Sequence, residues 1–115
     1  MRFRFLAMAA CTITLLTGCM ANSVTPQGQK VVIVQNLPTQ YQCTYKGEDA
    51  GSQGNWLTGS WTSNSNLALG ARNDLRNEAA ELGANVVVIT ETINATDEDN
   101  SLENITHVGR AYLCR

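Results

Sequence analysis

The chain has 115 residues, with eight Lys and Arg against ten Asp and Glu, one His and a formal net charge of −2. That length allows one small domain and no second core. No basic cluster is present, which excludes a surface built to track nucleic-acid phosphates or anionic lipid headgroups.

The first element is a leader. Arg2 and Arg4 open the chain, Phe5 to Leu16 is mostly apolar, and Leu16-Thr17-Gly18-Cys19 follows. A basic start, an apolar run and small residues before a cut are the parts of a secretory signal. The run is well short of the roughly 20 residues a spanning helix needs. Its ending is similar to a bacterial lipobox; an ordinary signal peptide with an incidental cysteine is the alternative. The lipobox resemblance implies that residues 1–18 are removed and that Cys19 carries lipid as the new N-terminus. Sorting rules known for such lipoproteins, with Met20 rather than Asp after the cysteine, imply the periplasmic side of the outer membrane. Residues 19–29 then read as a small, polar, lipidated tether, and 30–115 as a single periplasmic domain. Cleavage leaves 97 residues with six basic and ten acidic groups, a balance of −4.

Cys11 leaves with the signal and Cys19 is taken by lipid, so Cys43 and Cys114 remain. In an oxidising compartment such a pair reads as a disulfide. Two free thiols or a metal pair are the alternatives.

Along the domain, the β-branched run Lys30 to Gln35 predicts a first strand. Tyr41 to Gly47 alternates, with Tyr41, Cys43 and Tyr45 on one side, and predicts a half-buried second strand. Residues 51–66 are rich in Gly, Ser and Asn and read as irregular, although both tryptophans, Trp56 and Trp61, lie there. From Leu67 to Leu82, the residues Ala68, Ala71, Leu75, Ala79 and Leu82 fall in one stripe of a helix. Arg72 and Arg76 flank that stripe on one side, with Asp74, Glu78 and Glu81 on the other. Asn73 and Asn77 point to water. Asn64, Ser65 or Asn66 caps the start, and Gly83 is placed to end the helix in left-handed geometry. Asn85 to Ile93 predicts a third strand, 94–104 an acidic turn, and Ile105 to Cys114 a fourth strand.

The order β-β-α-β-β predicts an α+β fold: a small four-stranded mixed sheet with one main helix in a split βαβ arrangement, stapled by one disulfide. A helical crossover makes the second and third strands parallel, and a turn makes the third and fourth an antiparallel hairpin. A Cys43–Cys114 bond requires their Cα atoms within about 7 Å, which favours the local order second-fourth-third. One fact pulls against that order: the continuously apolar Val86 to Ile89 suits a central strand, yet the third strand is left at an edge unless the first covers it, and the position of the first strand stays open.

Catalytic chemistry finds little support in these residues. His107 is the single histidine and reads as a surface or satisfied strand residue, with no free thiol beside it. Asp97-Glu98-Asp99 lacks the ligand spacing of a calcium loop and reads as a solvated hairpin tip. No metal or cofactor is expected, and the chain reads as a non-enzyme. The charged helix flanks read as wet margins, with a docking surface the alternative. Trp56 and Trp61 are either plugs of a small core or partly exposed anchors for a partner.

The lipobox, the strand GQKVVIVQ, the stretch SQGNWLTGSW, the helix ARNDLRNEAAELGANVVV and the ending GRAYLCR together resemble the YjeI-like lipoproteins, over nearly the whole chain. That family is grouped as a domain of unknown function, so the resemblance implies location and build, including the Cys43 and Cys114 positions. More faintly the chain is similar to RcsF, an outer-membrane lipoprotein that senses envelope stress and carries two disulfides against the single pair available here. The expectation is an outer-membrane-anchored periplasmic lipoprotein acting as a non-catalytic envelope interaction module. Its partners are the membrane, through the lipid, and an envelope protein or wall component. An envelope-stress sensor of the RcsF kind is the alternative.

Overall fold

The structure is a computed structural model that describes residues 21–55, 59 and 62–115. Four strands and one long helix follow one another as β1 (Val32–Val34), β2 (Cys43–Gln53), α1 (Asn64–Glu81), β3 (Val86–Thr96) and β4 (Leu102–Cys114), with a 3-10 turn at Gly28–Lys30 before β1. The sheet order is β1-β3-β4-β2. β1 runs parallel to β3, while β4 is antiparallel to both β3 and β2. The expected α+β class, the single helix and the second-fourth-third order are all present. β1 lies beside Val86–Val88, which explains an apolar run that an uncovered edge would not tolerate.

The helix packs on one face of the sheet. Leu67, Gly70, Ala71, Leu75 and Ala79 are its buried residues, against an expected stripe that included Ala68 and Leu82. Leu82 is instead exposed, because the chain leaves the helix there. On the sheet, Val87, Ala111 and Ile33 meet Leu75 and Ala79, and Ile105 meets Leu67 and Ala71. Leu67, Leu75 and Val87 are fully buried, each stabilising the fold by roughly 1.5–3 kcal/mol.

The N-cap falls one residue before the expected ones, and the helix begins at Asn64. Ser63 takes the N-cap position, its Oγ accepting from Asn66 N at 3.1 Å. At the other end Ala84 N bonds Ala79 O at 3.0 Å and Gly83 N bonds Ala80 O at 3.0 Å, the paired bonds of a Schellman motif. Gly83 has φ +76° with open space where a β-carbon would sit. Gly83→Ala is therefore expected to lose only backbone strain, about 1 kcal/mol in a urea titration; a loss above about 2 kcal/mol would contradict that open geometry.

β2 runs six residues past its expected end, so 51–53 is strand and not loop. Lys46 is an extra residue in the ladder between Tyr45 and Gly47. The bulge switches the alternation, as bulges do. Tyr45 therefore shares a face with Val32, Val86 and Tyr112, whereas Gly47, Asp49 and Gly51 face the helix. The expected grouping of Tyr41, Cys43 and Tyr45 on one buried side fails for the tyrosines, which are both more than half exposed. Tyr45 and Tyr112 rings touch at 5.5 Å on the helix-free face. Nearby, Pro38 and Tyr41 of the β1–β2 connection join Val32, Val86 and Cys114 around a hollow of about 300 Å³.

The segment before the 3-10 turn is folded onto the domain. Asn22 N donates to Gln53 Oε1 at 2.7 Å, and its side chain donates to Ser52 O at 3.0 Å. Asn73 reaches Asn22 O at 2.8 Å. Asn77 both accepts from Thr25 N and donates to Ser23 O. Asn73 and Asn77, half-buried, thus hold this segment in addition to bordering water. Among the described residues no helix is long and apolar enough to cross a membrane.

Candidate functional site

Two of the expected special residues meet. Cys43 and Cys114 are register partners at the end of the β2–β4 ladder and are disulfide-bonded, with Cα atoms 4.0 Å apart. Backbone bonds between Gln42 and Arg115 extend the ladder past the bridge. Asn85 clamps the same point, donating to Cys114 O and accepting from Cys114 N, both at 2.8 Å. Cys19, Trp56 and Trp61 lie outside the described residues. Gly59, between the tryptophans, packs directly on the backbone of Glu103, the extra residue in β4.

The helix divides its charges as its sequence implied. The acidic flank lies over β2, where Asp74 Oδ2 accepts from Ser52 N at 2.8 Å. The basic flank lies over the other half of the sheet, where Arg72 borders a hollow of about 400 Å³ with Ile33, Val34, Gln35 and Ile89. Among the described residues no hydrogen bond or carboxylate ion pair holds the Arg72 guanidinium, and Arg76 bonds only Asn73 Oδ1 at 3.2 Å.

Under each flank lies one buried polar side chain. Asp49 is 7% exposed. Its carboxylate accepts from the backbone of Ala50, and Oδ2 has no partner among the described residues. Burial, and then the charge of Glu78, push its carboxyl up to about 7. His107 is 8% exposed, not a surface residue. Its Nδ1 lies 2.9 Å from Thr92 Oγ1, while Nε2 has no partner among the described residues. Burial, and then Arg72, hold its pKa below the ordinary histidine value. Asp49 opposes Gly109 and His107 opposes Gly51, so the two occupy diagonal positions on the helix-covered face. Among the described residues no group of three or more His, Cys, Asp or Glu is arranged to hold a metal ion.

Sequence reasoning missed Asp49 because Lys46-Gly47-Glu48-Asp49-Ala50-Gly51 has the composition of a turn. The available signal was parity: once the strand is extended through a bulge, Asp49 falls on the inward side.

The pH dependence follows from signs. Asp49 has a raised folded pKa, so its favourable contribution is complete below about pH 4 and is lost as pH rises through about 7. His107 works oppositely: buried neutral, it contributes above its ordinary pKa and is lost on acidification. Asp49→Asn is thus expected to raise the urea midpoint at pH 8 and leave it nearly unchanged at pH 4. Equal midpoints for the two proteins at pH 8 would contradict a buried carboxylate at this position.

A helix with segregated charges, laid on a four-stranded mixed sheet that a disulfide closes at one end, defines a small stapled α+β domain. The chain belongs to the family described as Domain of unknown function (DUF4156), whose profile matches residues 22–114. It is 38% identical over 88 residues to the "Uncharacterized protein YjeI" of Escherichia coli strain K12, spanning 76% of this chain and 74% of that protein. Proteins of the same name from Escherichia coli O6:H1 and Shigella flexneri match with the same identity and coverage. No solved structure matches.

Proposed function

We propose that the protein is a lipoprotein held at the periplasmic face of the outer membrane, where it acts as a non-catalytic interaction module of the cell envelope. The observation that carries this reading is Leu16-Thr17-Gly18-Cys19 at the end of a basic-then-apolar leader. The fold is compatible with such an anchor. Asn22 is already hydrogen-bonded to the domain, so a lipid on Cys19 is separated from it by about 10 Å of extended chain at most. The disulfide suits an oxidising compartment. The partner is an envelope protein or wall component, and Trp56 and Trp61 are its candidate contacts.

Labelled palmitate is expected to enter the protein in growing cells and to follow it into the outer-membrane fraction. Cys19→Ser is expected to lose the label and remain at precursor size. An unlabelled parent protein, or one recovered with soluble periplasm, overturns the anchoring. Photo-crosslinking probes placed separately at Trp56 and Trp61 are expected to give a discrete adduct in intact cells. Folded variants that give none remove the loop as a contact surface.

A further inference from the structure

The two long edges of the sheet are treated differently. On β2 the outward backbone is already used near its end: Asp74 takes Ser52 N, Asp49 takes Ala50 N–H, and Asn22 donates to Ser52 O. On the other side β1 covers only Val86–Val88 of β3. From Glu91 to Thr96 every residue is exposed, and no side chain among the described residues bonds the outward backbone there. Thr90 bulges out of the β3–β4 ladder just past the end of β1, and the stretch beyond it, Glu91 to Thr96, is a strand edge open to a further strand.

The charges along that edge say which strand fits. At its start, beside Ile89, lies Arg72, which no carboxylate among the described residues pairs. At its end, after Thr96, come Asp97, Glu98 and Asp99. An antiparallel neighbour with the same sequence presents its acidic end to this cationic end, and the reverse, so the edge is complementary to itself. Residues opposite one another must share a face. Centring the pair on Ile93 meets that rule, sets Ile93 against Ile93 and sets Glu91 against Ala95, keeping the two Glu91 carboxylates apart. It also buries Ile93, an apolar side chain 47% exposed on the helix-free face.

We propose that two copies of this chain pair antiparallel through β3, across a two-fold axis at Ile93, forming one continuous eight-stranded sheet with Arg72 of each copy against Glu98 and Asp99 of the other. This goes beyond the envelope reading and does not depend on where the chain resides.

The test uses the full chain purified in detergent, oxidised in air, with single cysteines introduced on exposed positions. Ile93→Cys is expected to cross-link to itself, since opposed Cα atoms lie about 4.5–5.5 Å apart in such a ladder. Glu91→Cys alone is expected not to, its copies being separated by roughly 13 Å. A mixture of Glu91→Cys and Ala95→Cys is expected to form the mixed dimer, which keeps the test intact if the Ile93 variant fails to fold. Glu48→Cys on β2 serves as the control. Arg72→Glu is expected to weaken dimerisation about tenfold, the size of two surface ion pairs. Combining it with Glu98→Lys and Asp99→Lys is expected to restore it. A monomeric parent by light scattering, cross-linking that is equal at Glu48 and Ile93, or an adduct to a different protein only, overturns the proposal.

Discussion

Replacing both Cys43 and Cys114 with Ala is expected to lower stability by about 4 kcal/mol, the chain-entropy value for a loop of this length. The bridge joins residues 71 apart in sequence, so β2, α1, β3 and β4 all lie inside the loop it closes, with β1 outside. Without it, the ends of β2 and β4 keep only their backbone bonds and the Asn85 clamp. Guanidinium unfolding of the double variant, beside the parent with and without reductant, measures the effect. A loss below about 1 kcal/mol would mean that the unfolded chain is already confined by other means.

A comparable loss is expected from a single methyl group. A β-carbon at Gly51 lands on the amide nitrogen and Cα of Leu75 and on the carbonyl of Ala71. These are backbone atoms in the middle of α1, so no side chain can swing away. Gly51→Ala is expected to cost 3 kcal/mol or more, about the upper range for overpacking, because the whole helix must lift from β2. Gly70→Ala supplies the contrast. There the atoms nearest the added carbon are all in the side chain of Gln53, which can move at the expense of its bond to Asn22. Helix propensity gains about 1 kcal/mol in the same change. Thermal unfolding of the two variants separates backbone contact from side-chain contact; similar midpoints would show that α1 does not rest on Gly51 as described.

The contrast also explains what the sequence made legible. Leu75, Ala71 and Ala79 carry a helical period that burial enforces, and Gly83 ends it for a steric reason, so both were readable. The Cys43–Cys114 pair fixed which strands are neighbours, because a covalent bond tolerates no alternative. The extent of β2 was not readable. Ala50, Gly51 and Ser52 have little strand propensity of their own, and they form strand because β4 offers a full ladder and because a helix can lie only on residues that small. Asp49 and His107 escaped for a related reason. Their burial is set by where α1 lies, which no local pattern announces. The asparagines of α1 read as solvent-facing, since nothing in Asn22 to Thr25 advertises that it would come to meet them. The tryptophans remain legible only as an expectation, being outside the described residues.

That returning segment carries a practical consequence. Asn22, Ser23 and Thr25 are stitched to α1 and to the end of β2, and Gly28 is buried against Asn77. A recombinant product trimmed to begin at β1 would leave Asn73 and Asn77 without those partners and uncover the helix beside them. The boundary of the independently handled domain therefore falls ahead of Asn22, and any leash to a surface is only as long as what precedes that residue.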